Sequence, residues 1–356
     1  MQKVISFPHM GNYCVPVEVL LKLVFPDHEI FPSPKITKKT LELGSKYSPD
    51  FVCVPFKYNL GNYIEALENG ANVLIQAGGG CRYGYYAEIQ ELILRDLGYK
   101  FEFVKLIGGD LHPINLYKNC KRIGTTLSFK QFSYYLLLII KMVNILDSIE
   151  AYVRENIGFA VNINSFNDLH REFLEELKKV RNFKGLYKMK NKYEKEIRKL
   201  EINKPSDCLK VGVVGELYTL MEPFSNYFIE KELAKNKIQV SRFITVTFLL
   251  FQKSRQMNKI LNNAGKYLKY TIGADGTDSV EKSKALAERG YDGIIHVKPF
   301  GCIPEVNAMP MLMNISNDYK IPILYFSFDS QTSETGVKTR LEAFYDMLIM
   351  RKEKKA

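Results

Sequence analysis

Residues 72–97 read NVLIQAGGGCRYGYYAEIQELILRDL, and this stretch contains the pattern that decides the fold. Asn72 to Gln76 is a short apolar run, typical of a buried strand. Consecutive glycines and Cys81 follow, and apolar residues then recur at helical spacing from Tyr85 to Leu97. A strand that leads through a glycine-rich turn into a helix is the repeating unit of a parallel α/β sheet.

The same alternation surrounds this stretch in the first hundred residues. Val4 to Phe7, Phe51 to Val54 and Phe101 to Leu106 have strand-like composition. Val15 to Val24 and Leu60 to Asn69 have helical spacing. The sequence therefore predicts an N-terminal α/β domain with a mostly parallel sheet.

A second series of the same kind occupies the C-terminal part of the chain. Strand signals at Leu209 to Val214, Ile238 to Ile244, Gly293 to Val297 and Pro322 to Phe326 alternate with helical signals. Between the two series, Leu127 to about Ile202 has only helical spacing. We predict two Rossmann-like parallel-sheet domains and a helical middle segment, with bounds of 1–120 (containing Cys53 and Cys81), 121–205 (helical) and 206–356 (containing Cys302).

Length and charge agree with this division. A chain of 356 residues is too long for one ordinary core. The net charge of +11 arises largely between Arg171 and Lys204, where basic residues alternate with Glu as on a solvated helix face. This pattern argues against nucleic-acid binding. A basic surface could instead serve an acidic partner, such as the phosphates of coenzyme A or an electron-donor protein.

The sequence shows no targeting or membrane segment. Met1 to Phe7 is strand-like rather than a signal peptide. The longest apolar run, from Tyr134 to Leu146, is interrupted by Lys141 and is shorter than the roughly 20 residues of a membrane span. We expect a cytoplasmic protein without membrane contact.

The cysteines carry the main chemical signal. None of the six lies in a C-x-x-C pair, so a metal site would have to be assembled from distant segments. Cys53, Cys81 and Cys302 each lie beside Gly or Pro in what we predict to be a strand-to-helix loop. In open parallel sheets such loops form the ligand-binding edge.

Three thiolates in such loops suit an iron-sulfur cluster. A helix N-terminus favours the thiolate and donates hydrogen bonds to sulfur. Three cysteines could hold three irons of a cubane and leave the fourth open, which predicts a reactive [4Fe-4S] cluster. Cys14, in a similar loop, is a candidate fourth ligand. The alternative for each is a small buried apolar residue, which is our interpretation of Cys120 and Cys208.

Other residues in these loops are candidates for supporting roles. Gly79, Gly80 and Gly301 are expected to line the cluster, because glycine allows close backbone approach. Glu305 and Arg82 lie where a substrate or cluster charge could be met and are candidate catalytic residues, with helix capping and surface pairing as the alternatives. The chain has neither a GxxxxGK[ST] phosphate loop nor a G-x-G-x-x-G fingerprint, so ATP and NAD binding have no support.

Two blocks of sequence resemble a known family. Phe51-Val-Cys-Val-Pro-Phe-Lys57 through Gly80-Cys-Arg-Tyr-Gly-Tyr-Tyr86 and Lys298-Pro-Phe-Gly-Cys-Ile-Pro-Glu305 resemble the 2-hydroxyacyl-CoA dehydratase superfamily. More narrowly, the chain is similar to the D-component of 2-hydroxyglutaryl-CoA dehydratase and to an activase-related branch. The superfamily also includes benzoyl-CoA-type reductases and double-cubane proteins.

This resemblance implies a function and a set of ligands. It implies that Cys53, Cys81 and Cys302 hold a [4Fe-4S] cluster that is reduced by an ATP-dependent iron-sulfur activase. It further implies an oligomeric component of an anaerobic dehydratase (a lyase) or reductase, in which one electron reaches an acyl-CoA and a ketyl radical expels the hydroxyl group. A non-enzymatic electron-transfer or cluster-carrying partner is the alternative, and a plain Rossmann-like protein with buried thiols is a third.

A shared cluster makes a geometric prediction. Cys53 and Cys81 fall in the first predicted domain and Cys302 in the second, so the two sheets would have to face each other across a cleft. The three sulfurs would then lie within roughly 6 to 7 Å of one another.

Overall fold

A computed structural model of the chain describes residues 3–77, 81–107 and 113–354. Within these residues the α-helices are α1 Cys14–Val24, α2 Lys38–Tyr47, α3 Val54–Glu68, α4 Tyr86–Asp96, α5 Pro113–Ile123, α6 Phe129–Asn156, α7 Ile163–Lys178, α8 Phe183–Arg198, α9 Leu217–Met221, α10 Ile229–Lys235, α11 Lys253–Ala264, α12 Gly276–Glu288, α13 Ile303–Tyr319 and α14 Glu334–Glu353. The strands are β1 Val4–Ser6, β2 Glu29–Ile30, β3 Val73–Ala77, β4 Glu102–Ile107, β5 Lys210–Gly215, β6 Gln239–Ser241, β7 Gly293–Pro299 and β8 Ile323–Phe328.

The strands form two parallel sheets of the same topology. The first has the order β2-β1-β3-β4 and the second β6-β5-β7-β8, and every pairing is parallel. When the four strands of each sheet are counted in chain order, the third pairs with the first and the fourth: β3 with β1 and β4, and β7 with β5 and β8. These sheets confirm the predicted α/β class with two Rossmann-like parallel-sheet halves.

The chain divides into two compact units, and their residue ranges differ from those of the predicted segments. One comprises residues 1–143 and 174–189, and the other 144–173 and 190–356. The residues of the long middle helices α6, α7 and α8 are therefore divided between the units. The predicted bounds at 120 and 205 remain a prediction.

The first sheet is buried on both faces, which explains its continuous apolar strands. Val73 and Ile75 of β3 pack into one core with residues of α1 and α5. Leu74, between them, packs on the other face with residues of α3 and α4. The alternation follows from the period of two residues along a strand.

The central strand of the second sheet is buried along its whole length. All residues of β7, from Gly293 to Pro299, are buried, including His296 and Lys298. Helices α11, α12 and α13 contribute to a core that contains Val280, Leu312 and Ile315. Among the described residues, none of the helices is both long enough and apolar enough to cross a membrane.

Helices α2 and α3 approach each other backbone to backbone. A Cβ on Gly61 would lie 1.9 Å from the carbonyl oxygen of Thr40, and one on Gly44 would lie 1.7 Å from that of Lys57. The Thr40 hydroxyl donates hydrogen bonds to both carboxylate oxygens of Glu65, at 3.1 and 2.9 Å. The crossing therefore fixes the position of α3 relative to α2, and α3 begins directly after Cys53.

This crossing predicts that Gly61→Ala destabilises the protein despite alanine's higher helix propensity. A clash with backbone should cost about 1 to 3 kcal/mol in the free energy of unfolding, measured by urea denaturation. Gly185→Ala in α8 is the matched control, because its Cβ would meet nothing closer than 3.5 Å. That control should be neutral or stabilising by up to about 1 kcal/mol. Equal effects of the two changes would contradict the importance of the crossing.

Candidate functional site

Cys53 does not follow a strand, so the predicted strand at residues 51–54 is wrong. The preceding element is α2, and Val54 and Pro55 already belong to the first turn of α3, with Cys53 as its N-cap residue. Phe51, which gave the segment its apolar character, is 100% exposed. Proline in the first helical turn has no N–H to lose, which makes Val-Pro a helix start here. Cys53 nevertheless lies at a helix N-terminus, as the thiolate argument requires.

The Cys53 sulfur has a neighbour that the sequence does not reveal. Its Sγ lies 2.8 Å from the hydroxyl oxygen of Tyr86, the first residue of α4. The Tyr86 side chain is 8% exposed, and its ring packs edge-on against Phe56 with centroids 4.9 Å apart. The start of α4 and the start of α3 thus meet at this thiol.

Cys81 lies in the loop that the sequence predicts. It follows β3 and precedes the 3-10 helix Arg82–Tyr85, and its carbonyl accepts a hydrogen bond from the Gly84 amide at 3.1 Å. The Cys81 side chain is exposed. Gly79, Gly80 and the Arg82 side chain lie outside the described part of the chain, so their predicted roles remain predictions.

Cys14 also occupies a strand-to-helix position. It is the first residue of α1, which follows β1, and its Sγ accepts a hydrogen bond from the Met10 amide at 3.0 Å. Strands β1 and β3 are hydrogen-bonded neighbours, so Cys14 and Cys81 follow adjacent strands at the carboxyl edge of one sheet. This edge, where the strand order reverses direction, is where open α/β sheets bind ligands.

Cys302 occupies the equivalent place in the other unit. It follows β7, the third strand of the second sheet, and is the N-cap residue of α13. Gly301 before it has φ +73°, a left-handed conformation that favours glycine, and a Cβ there would face open space. The turn itself therefore favours glycine at this position.

Lys298 lies at the same end of β7 and is 4% exposed. Burial lowers the pKa of its ammonium group, while the nearby Cys302 and Glu305 favour its charged form. The sequence analysis quoted Lys298 as part of a motif but gave it no role. A cation beside Cys302 suits a site that carries negative charge.

Glu305 is buried and bonded to neighbouring elements of the protein. It is fully buried, its Oε2 lies 2.6 Å from His296 Nε2, and its Oε1 accepts a hydrogen bond from the Ser279 hydroxyl at 3.1 Å. His296 lies on β7 and Ser279 on α12. Glu305 thereby connects the first turn of α13 to two neighbouring elements, a role that lies outside the alternatives of capping and surface pairing.

Two further carboxyl groups at this edge were missed by the sequence analysis. Glu216 follows β5 and caps α9 by accepting hydrogen bonds from the amides of Tyr218 and Thr219, both at 2.9 Å. Asp275 precedes α12 and accepts one from the Leu217 amide at 3.0 Å. No motif marks either residue, because their proximity arises only when β5 and α12 pack together.

Burial makes these carboxyl groups hard to ionise. It raises the pKa of Asp275 to about 7, with repulsion from Glu216 acting in the same direction and Lys253 opposing it. Burial also raises the pKa of Glu216. Lys253 forms an ion pair with the buried Asp278 and lies 3.9 Å from Asp275. This edge of the second sheet therefore contains a carboxyl group able to exchange a proton near neutral pH.

The thiols fit an iron-sulfur cluster by their chemistry and local setting. Cys53, Cys81 and Cys302 each lie at or directly before a helical N-terminus, and no disulfide joins cysteines in the described residues. Cys120 differs, because burial raises the pKa of its thiol to about 12. Among residues 3–77, 81–107 and 113–354, no three Cys, His, Asp or Glu side chains converge closely enough to hold a metal ion. The shared three-thiolate set therefore remains a prediction.

A cavity on the surface is not part of this edge. It has a volume of about 260 Å³ and is lined by Asn263 and by residues from Glu281 to Arg289 at the C-terminal end of α12. The chain enters β7 from there, so the cavity is at the amino end of the strand, opposite to Cys302.

A comparison with known protein families shows to which family the chain belongs. Residues 146–348 match the family described as 2-hydroxyglutaryl-CoA dehydratase, D-component. The chain belongs to this family. The match to the D-component family includes Cys302, Glu305 and the whole second sheet, and it begins after Cys53 and Cys81. A comparison with curated proteins gave no match.

Asp275→Asn should change how stability depends on pH. A raised native pKa means that the folded protein holds the Asp275 proton while the unfolded chain, with an ordinary pKa near 3.8, loses it. In the wild-type protein, the contribution of the Asp275 carboxyl group to the free energy of unfolding is therefore complete below pH 3.8. It is lost as the pH rises towards 7. The variant, which cannot ionise, should become more stable relative to wild type over that range, by a few kcal/mol since one pKa unit corresponds to about 1.4 kcal/mol.

Urea denaturation at closely spaced pH values between 4 and 8 measures this difference. Asp168→Asn on α7, where the side chain is 62% exposed, gives the baseline for replacing a carboxylate by an amide. A stability difference between Asp275→Asn and wild type that stays constant with pH would contradict the raised pKa.

Glu305→Ala should destabilise the protein strongly. It leaves His296 and Ser279 buried without their partner, and breaking a buried pair in this way costs about 3 to 5 kcal/mol. Glu334→Ala, which removes a carboxylate that is 58% exposed and paired with Lys338, should change the free energy of unfolding by no more than about 0.5 kcal/mol. A small loss for Glu305→Ala would show that Glu305 is not a structural link.

Proposed function

We propose that this chain is an iron-sulfur component of a 2-hydroxyacyl-CoA dehydratase or related reductase system. In this proposal it accepts a low-potential electron from an ATP-dependent iron-sulfur activase and passes it to a substrate, an acyl-CoA thioester. The match of residues 146–348 to the D-component family carries the proposal. The positions of Cys81 and Cys302 after equivalent strands, at the ligand-binding edges of their sheets, support it.

Cys53, Cys81 and Cys302 are the proposed ligands of a [4Fe-4S] cluster, with Cys14 as the candidate fourth. When bound, such a cluster supplies one-electron chemistry at low potential. The helix N-termini at Cys53 and Cys302 favour thiolates through their partial positive charge. Gly79, Gly80 and Gly301 are proposed to line the cluster, and Lys298 offers a buried cation beside Cys302.

The two candidate catalytic residues lie in different environments, and different roles are proposed for them. Arg82 is proposed to meet the charge of a substrate or cluster, since its backbone directly follows Cys81. Glu305 is fully buried and bonded to His296 and Ser279, which favours a positioning role at the start of α13. Neither assignment is needed for cluster binding.

Homo- or hetero-oligomer formation, an activase partner and an anaerobic cytoplasmic setting follow from the family relationship as further proposals. The net charge of +11 is compatible with coenzyme A phosphates or an acidic electron donor. Nucleic acid and membrane are not among the proposed partners.

A non-enzymatic electron carrier is the alternative function for the same cluster. Protein purified under anaerobic conditions should contain iron and acid-labile sulfide under either proposal, and a colourless protein without them would exclude both. Turnover of a panel of acyl-CoA thioesters with activase and ATP supports the enzyme. Cluster reduction by the activase without turnover of any member of the panel would favour the carrier.

The ligand set predicts the iron content of cysteine variants. Cys53→Ala, Cys81→Ala and Cys302→Ala should each lose most of the bound iron, because a cubane cannot easily replace a missing thiolate. Cys120→Ala and Cys208→Ala are the matched controls and should retain it, since Cys120 is buried in an apolar core. Iron and sulfide analysis of anaerobically purified protein measures this.

The outcome for Cys14→Ala decides whether Cys14 is the fourth ligand. Loss of the cluster in the Cys120 variant together with its retention in the Cys302 variant would overturn the assignment.

A further inference from the structure

The contact between Cys53 and Tyr86 places a hydroxyl group directly on a proposed cluster ligand. The Tyr86 oxygen lies 2.8 Å from Cys53 Sγ, well inside hydrogen-bonding distance for sulfur. With a protonated thiol either atom could donate. Metal binding requires a thiolate, which has no proton, so the phenol must then be the donor.

The local packing holds this donor in place. Tyr86 is 8% exposed, and its ring contacts Phe56 edge-on at an interplanar angle of 85°. Phe56 lies in the first turn of α3, three residues after Cys53, and is itself fully buried. The Tyr86 ring thus packs against the helical turn that Cys53 precedes, and a movement of the ring away from the sulfur would disturb the core around Phe56 and Leu60.

We infer that Tyr86 is a positioning residue that donates a hydrogen bond to the Cys53 sulfur and thereby raises the reduction potential of the bound cluster. The inference rests on the proposed function. A hydrogen bond to a ligand sulfur withdraws electron density from it, which stabilises the reduced, more negative cluster relative to the oxidised one. The effect is strengthened because the donor is shielded from water.

Tyr86→Phe removes the hydroxyl and keeps the ring. The expected result is a lower reduction potential in a redox titration of the cluster, followed by EPR spectroscopy and normalised to bound iron. Tyr63→Phe is the matched control, because Tyr63 lies in the same unit, is fully buried and donates its hydroxyl to the Ile75 carbonyl oxygen at 3.2 Å. It should leave the potential unchanged.

Each outcome has a separate meaning. A lower potential in Tyr86→Phe alone supports the inference. An unchanged potential in Tyr86→Phe, or an equal shift in both variants, overturns it while leaving the proposed function intact. A wild-type protein that binds no iron under anaerobic conditions overturns the proposed function, and the inference with it.

Discussion

The parallel pairing of the third strand with the first strand in each sheet is the constraint on which the candidate site depends. In the second sheet this pairing is so close that a Cβ on Gly215, at the end of β5, would lie 1.8 Å from the Val297 carbonyl oxygen on β7. Only glycine, here with φ +143°, allows strands β5 and β7 to approach so closely at this point. The amide of Glu216 then donates to the same carbonyl at 3.0 Å, so the loops after both strands begin at a fixed place.

Equivalent positions in the two units carry different chemical groups. The helix that precedes the third strand has Cys53 as its N-cap residue in the first unit and Asp275 in the second. The helix after the first strand begins at Cys14 in one unit and is capped by Glu216 in the other. The loop after the third strand carries cysteine in both. At these three positions the same topology therefore carries thiols in the first unit, and a thiol with hard-to-ionise carboxyl groups in the second.

Buried polar links hold these groups in position and account for their unusual environments. Glu305 joins α13 to β7 and α12, and Tyr86 joins α4 to the start of α3. Each link connects a helix N-terminus to a neighbouring element instead of leaving its orientation to the loop. Since a buried polar group is stable only when it is bonded, both links restrict the geometry of the edge to which they belong.

The sequence by itself determined the α/β class, all the described strands except β2, and the loops that contain Cys81 and Cys302, because apolar runs, glycine turns and helical periodicity are local signals. It failed at residues 51–54, where a short apolar run cannot distinguish a strand from a loop and a helix start, and it missed the two-residue strand β2. Only the tertiary structure decided the contacts of Tyr86 with Cys53, His296 with Glu305 and Asp275 with Leu217, which join residues 33, 9 and 58 positions apart. Such contacts depend on how the elements pack together, and no local pattern in the chain specifies them.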